Sequence, residues 1–301
     1  MIRFLEHLQI DQTRWDQVIT SSPNRLPYAC SWYLNLVAPG WCALVQDEYT
    51  CVMPLPVRLK YGLAYVPRPP YTQQLGIFGN FLAEEKDVNA FLSALPTRFK
   101  LADFSLNAFN PMPGAEYKAL PAMNMELDLR NSYEVILKSF SENTRRNIGK
   151  AQKAGLKVLS STDPDFLLDT KWNNRPASLR RVHWELSARI VQEALRRNAG
   201  EIWEVIGEEG EKLAAVFFLC NDIRKIYLIS ASNTRGKECG AMFVLVDEMI
   251  RSNADKPLLL DFEGSSIPGI ARFFKGFGAV ERPFPQVRIS RLPWPVNRLI
   301  R

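Results

Sequence analysis

Apolar positions along the 301-residue chain alternate between helical spacing and strand-like runs. Asp11 to Ile19 carries Trp15, Val18 and Ile19 on one side and predicts a short helix. A turn at 21–24 leads to a second, Tyr28 to Val37, stopped by Pro39 and Gly40. Trp41 to Val45 and Tyr49 to Val57 read as two strands across an acidic turn, an antiparallel hairpin. Pro54 and Pro56 place the second of these at an edge or a bulge. A strand at Gly62 to Val66, a helix at Asp87 to Phe99 and strands at Asp103 to Phe109 and Met123 to Leu127 complete this half.

Residues 131–154 predict one long helix, with N-cap chemistry at Asn131 and Ser132 and a stop at Gly155. Its apolar face is Tyr133, Ile136, Leu137, Phe140, Ile148 and Ala151. Helices come next over Pro164 to Trp172 and Pro176 to Asn198, the latter with a stripe of Leu179, Val182, Leu186, Ile190, Ala194 and Leu195. Strands are expected at Ile202 to Ile206, Lys212 to Cys220 and Lys225 to Ala231. A loop over 233–240 then leads to a helix from Ala241 to Ser252. Strand Leu258 to Phe262, helix Ile267 to Phe274 and strand Gln286 to Ser290 end the chain. Trp41 and Trp203 open matching hairpins, and Tyr65 and Tyr227 sit in the next strand of each, at the same separation. The order predicts an α+β chain of two related domains, each a mixed, mostly antiparallel sheet flanked by helices. The expected boundaries are 1–130, a linking helix at 131–155, and 156–301, the tail either packing back on the first domain or lying as an interfacial segment.

Composition removes several chemistries. Two histidines, His7 and His183, are too few for H-E-x-x-H zinc hydrolysis, and neither G-x-S-x-G nor a P-loop occurs. Five cysteines without a C-x-x-C pair argue against a disulfide framework and a thiolate metal site, so no metal is expected. The longest apolar run, Leu213 to Cys220, is far short of the ~18 residues that span a bilayer. The N-terminal stretch has no signal-peptide pattern, which predicts a cytoplasmic location. The net charge of +6 falls mostly in the second half, in clusters at Lys138–Lys157, Lys171–Arg197 and from Arg282 on. Such clusters either form a solvated basic face or meet an anionic cofactor, nucleic acid or lipid headgroup. Trp294 among the tail cations would suit the inner face of a membrane.

The 233–240 loop holds Arg235, Gly236, Lys237 and Gly240 before a helix start, either a plain turn or a cradle aiming N–H groups at a pyrophosphate. Tyr227 to Ser252 with Leu258 to Phe262 resembles the acyl-coenzyme A core of the GNAT N-acyltransferase superfamily, in which a strand precedes an R/Q-x-x-G-x-G/A loop, a helix and another strand. The stretch Phe140 to Gly155, with Arg145, Arg146, Ile148, Lys150 and Lys153, is similar to the segment linking the two domains of FemAB-type proteins. Asp261 to Ser265 and Phe273 to Gly278 resemble that family's D-F-x-G and F-K-x-x-F-G elements.

The resemblance implies a double GNAT fold and transfer of an acyl or aminoacyl group from acyl-CoA or aminoacyl-tRNA to an amine. The acceptor would be a small molecule or a peptidoglycan-type cell-envelope precursor. It implies donor contacts at Ala231, Arg235, Gly236, Lys237, Gly240 and Ala241, and substrate contacts at Arg145 and Arg146. Asp261 and Glu263 alternate at a strand end and either bind or deprotonate the ammonium, or are simply exposed. Lys275 would meet donor phosphate or developing negative charge, or else complement a helix dipole. Where many GNAT enzymes place a tyrosine, this chain has Phe274, and Tyr227 is the substitute hydroxyl. The alternative is a protein that has lost transfer and binds RNA, a membrane or a protein partner through its basic faces.

Overall fold

A computed structural model describes residues 1–60, 62–175, 177, 180–264 and 267–292. The chain divides into two compact units: Met1–Ala122 with the stretch from Pro283 onward, and Met123–Arg282. Both are sheets flanked by helices, the expected mixed architecture. The boundaries differ from 1–130, 131–155 and 156–301, because 131–155 belongs with the second unit and the last described strand with the first. Pro176, Leu179, Ser265 and the tail from Pro293, all named above, lie outside the described residues.

In the first unit β1 (Ile2–Leu5), β2 (Cys42–Gln46), β3 (Cys51–Leu55) and the short β6 (Phe78–Gly79) form an antiparallel sheet. β6 reaches only Cys51 and Val52, so Pro54 sits where its missing N–H breaks no bond to that neighbour. Helix α1 (Gln12–Ser21) starts where Asp11 accepts the N–H groups of Thr13 and Arg14 at 3.1 and 3.0 Å. It buries Trp15 against Trp41, ring centroids 4.6 Å apart, next to α2 (Ser31–Val37). A second sheet begins with β4 (Arg58–Lys60) and β5 (Leu63–Val66), continues through the crossover helix α3 (Glu85–Ser93), and returns in β7 (Leu101–Ser105), parallel to β5. All of β4 is exposed, so no apolar alternation announced it.

The second unit starts within β8 (Lys118–Asp128), at Met123. The long helix expected at 131–154 is two, α4 (Tyr133–Lys138) and α5 (Glu142–Lys153). The chain breaks at Ser141, whose N–H donates to Gly276 O at 2.8 Å and whose hydroxyl accepts from Thr144 N. Ser141, not Ser132, supplies the side-chain cap. Then come β9 (Lys157–Ser161), α6 (Asp165–Asn173), α7 (Arg181–Arg196), β10 (Gly200–Ile206), β11 (Lys212–Cys220), β12 (Arg224–Ser232), α8 (Thr234–Cys239), α9 (Ala241–Asn253), β13 (Leu259–Asp261) and α10 (Pro268–Lys275). On α7 the buried side chains are Ser187, Ile190, Val191 and Ala194, while Val182 of the expected stripe is exposed. Among the described residues no helix is long and apolar enough to cross a membrane.

The sheet order in this unit is β8-β13-β12-β11-β10-β9. Only β12 and β13 run parallel, joined by α8 and α9, as β5 and β7 are joined by α3. Tyr65 and Tyr227 lie in the first strand of each parallel pair. The final strand β14 (Val280–Ser290) pairs antiparallel with β7 through Gln286–Ser290, as β8 pairs with β13. One face of the second sheet buries Leu127, Val216, Phe218 and Leu260 with residues of α5, α9 and α10, and α6 packs on the strands β11 and β12.

On the opposite face a charged group ties the parallel strands together. The Arg224 guanidinium of β12, 3% exposed, contacts Glu126 of β8 at 2.6 Å and Asp261 of β13. Burial alone would pull the guanidinium pKa down, but the charges of Asp261 and Glu126 outweigh it and hold the group charged. Removing one partner from such a group strands buried charge, whereas replacing all of it by apolar side chains does not. Arg224→Met should lower unfolding stability by about 3–5 kcal/mol in chemical denaturation, and adding Glu126→Leu with Asp261→Leu should recover much of that loss.

Candidate functional site

The pairing of β12 with β13 is short: it ends at Ile226, opposite Asp261. Past that point β12 runs on for six residues, and among the described residues the one strand still paired with it is β11. At Leu228 the register slips, so that Phe218 faces Tyr227 while Phe217 faces Ile229. A bulge adds one residue and re-aims the side chains beyond it. Tyr227 and Ser230 would otherwise point to opposite faces; with the extra residue, Tyr227, Ser230 and Ser232 share one. They line a cleft of about 360 Å³ beside the carboxyl end of β12, where open α/β sheets leave room for ligands.

Across from the strand stand Met242 and Phe243 of α9 and Gly269, Ile270, Phe273 and Phe274 of α10. Phe274 stacks on Phe262 at 4.7 Å and meets Tyr227 edge-on at 5.6 Å. The Tyr227 hydroxyl donates to Met242 Sδ at 3.1 Å, and burial pushes its pKa up, against a hydrogen bond with Ser230 that lowers it. The phenol is therefore protonated across the physiological range. Among the described residues lining the cleft there is no aspartate, glutamate or histidine.

The expected 233–240 loop is instead the short helix α8. Asn233 caps it, its Oδ1 accepting from Gly236 N at 2.8 Å and its Nδ2 donating to Lys212 O at 3.0 Å. Gly236 is needed for packing: a Cβ there would collide with the Leu213 carbonyl oxygen of β11. Gly240 ends α8 with φ +77° and begins α9, whose N-terminus has no side-chain cap. The positive end of the α9 dipole and the exposed Lys237 thus border the cleft, an arrangement suited to an anion.

Of the residues singled out from the sequence, Tyr227, Ala231, Gly236, Lys237 and Gly240 line this cleft. Ala241 does not; it is fully buried in the core. Arg235 pairs with Glu211 at 2.9 Å and is absent from the lining. Asp261 was expected to handle the ammonium. It is 2% exposed, committed to Arg224, and lies on the face opposite Leu260 and Phe262. Glu263 does not share its exposed strand end, because the chain turns with φ +58° and Glu263 N donates to Asp261 Oδ1 at 2.9 Å. Lys275 pairs with Glu281 at 2.6 Å and borders a neighbouring hollow of about 530 Å³ with Arg272, Asn143 and Thr144. Arg145 donates to Leu137 O and Lys138 O at the end of α4, and Arg146 to Asn143 Oδ1, so neither lines the cleft. Sequence reasoning missed Ser230, Ser232, Met242, Phe243, Ile270 and Phe273; the F-K-x-x-F element was the one signal that pointed toward α10.

No protein-family model matches the chain, and no curated protein sequence matches it significantly. Solved structures do. FemX superposes with a TM-score of 0.67 at 14% identity, over 97% of this chain and 98% of FemX. The C-terminal domain assigned to a lysylphosphatidylglycerol synthetase from Agrobacterium fabrum gives 0.54 at 9% identity, over 94% and 92%. A tandem GNAT protein from the clavulanic acid biosynthesis pathway gives 0.52 at 11%, over 97% and 99%. The chain shares the two-domain fold of FemX and of the tandem GNAT protein.

Proposed function

We propose that the second unit transfers an acyl or aminoacyl group from an acyl-CoA or aminoacyl-tRNA donor to an amine. The observation that carries this reading is the cleft where β12 continues alone past β13, with serines and Tyr227 on one wall and phenylalanines on the other. The donor's anionic part meets Lys237 and the start of α9. Its reactive carbonyl lies along the unpaired edge of β12, close to Tyr227. The neighbouring hollow, with Arg272 and Lys275, extends the basic lining available to phosphates. Structures sharing the fold include a protein described without AcCoA and a lysylphosphatidylglycerol synthetase domain, in keeping with either donor class and with an acceptor at the membrane or cell envelope.

The chemistry asked of the site is modest. Holding amine and carbonyl about 3–3.5 Å apart supplies much of the rate. Tyr227, kept protonated by burial, gives its proton to the departing thiolate or tRNA oxygen. Phe274 cannot, which leaves Tyr227 as the hydroxyl in the aromatic cluster around it. A second reading, binding without transfer, is favoured by the lack of any carboxylate or imidazole in the described cleft lining.

Coenzyme A or acetyl-coenzyme A should raise the melting temperature, by the equivalent of about 2.7 kcal/mol at a hundredfold excess over Kd, and Lys237→Glu should weaken the shift. No shift, together with salt-sensitive retention of aminoacylated tRNA, assigns the second donor class. The absence of both responses rules out transfer. With the donor in hand, Tyr227→Phe should lower kcat by ~10²-fold or more while leaving KM little changed; an unaltered kcat removes Tyr227 from the chemistry.

A further inference from the structure

An amine can be acylated only if the proton it sheds has somewhere to go, and the described cleft lining offers no carboxylate or imidazole. One titratable side chain, Lys171 of α6, reaches the backbone of β12 where that strand forms the cleft wall. Asn233 N donates to Leu213 O at 3.0 Å, which fixes the alternation of the β11–β12 ladder. The carbonyls of Ser232 and Ser230, one and three residues earlier, therefore point away from β11, toward the edge that β13 leaves open. The end of α6 and the residue beyond it meet both: Lys171 Nζ lies 3.3 Å from Ser230 O, and Asn174 Nδ2 3.4 Å from Ser232 O. Ser230 lines the cleft, so the amine of Lys171, itself absent from the lining, is bonded to the backbone carbonyl of a lining residue.

We propose that Lys171 is the catalytic base of this cleft, its Nζ taking the proton that the acceptor amine loses on acylation. The proposal rests on the transfer reading and adds the residue that reading lacks. The acceptor arrives as the neutral amine, and its nitrogen bonds to the donor carbonyl carbon. The carbon–sulfur or ester carbon–oxygen bond breaks, and its electron pair leaves with the sulfur or oxygen, which takes the Tyr227 proton. The nitrogen's proton passes to Lys171. The ammonium and the phenolate then return to their starting forms by proton exchange through water.

The surroundings of Lys171 suit a base. Its amine forms no ion pair among the described residues, and burial holds its pKa below the usual lysine value. The charged groups of the elements around it do not contribute: Asp165 and Asp169 on α6, Lys212 on β11, Arg224 and Lys225 on β12, Arg181, His183, Glu185, Arg189, Glu193 and Arg196 on α7. A depressed pKa in the folded state means stability rises with pH as the folded amine deprotonates ahead of the unfolded one.

Trace labelling of the wild-type chain with acetic anhydride across a pH series, read by mass spectrometry, tests this directly. Lys171 should reach half-labelling at a lower pH than the exposed Lys118. Saturating coenzyme A or aminoacylated tRNA should suppress its label several-fold and leave Lys118 unchanged. Labelling of Lys171 in step with Lys118 overturns the assignment, and so does a ligand that raises the melting temperature without shielding Lys171. If neither ligand changes the melting temperature, the transfer reading fails and takes the base with it. A shift without shielding removes Lys171 alone. A purely structural lysine, capping the Ser230 carbonyl, would show no shielding by either ligand.

Discussion

The second unit depends on a buried guanidinium. Arg224 holds β12 to β13 and β8 through two carboxylates, on the face away from the cleft. A parallel pairing of three residues is little on its own, and charge fixed in the core makes its position definite. What matters for chemistry is that the tie stops there. Beyond Ile226 no strand among the described residues pairs with β12 on that side, so its edge is open to side chains and held still at one end.

The cleft is assembled from local departures from regularity, each with a cause. The bulge at Leu228 turns Ser230 and Ser232 onto the face of Tyr227. Gly236 lets α8 press against the Leu213 carbonyl, and Gly240 bends the chain so that α9 starts at the cleft border. The amine of Lys171 and the amide of Asn174 satisfy carbonyls that would otherwise have no partner. Preorganisation here comes from backbone geometry more than from polar side chains.

The strands β10, β11 and β12 were legible almost to the residue: β11 is a continuous apolar run buried on both faces, and β10 and β12 carry β-branched and aromatic residues on either side of it. β4 and β9 were not, being largely exposed. The break between α4 and α5 was hidden because Tyr133, Ile136, Leu137 and Phe140 keep helical spacing through it, and what stops the helix is Gly276, distant in sequence. Gly236 and Gly240 read as a loop for the same reason: their tolerance depends on Leu213 and Asn147, which no local pattern contains. Tyr227 and the 231–240 segment come to the cleft, while Asp261 is buried away from it, since the burial of a carboxylate is decided by partners 37 and more residues away. Lys171 stood only as one cation in a cluster.

The return of β14 to the first unit has a consequence for synthesis. Gln286 to Ser290 complete the sheet begun by β4, β5 and β7, and the Arg291 guanidinium donates to Pro96 O at 2.8 Å. Every residue of Met123–Arg282 leaves the ribosome before that strand does. The amino-terminal unit therefore cannot complete its sheet during most of synthesis, with β7 lacking this partner until the second unit has been made.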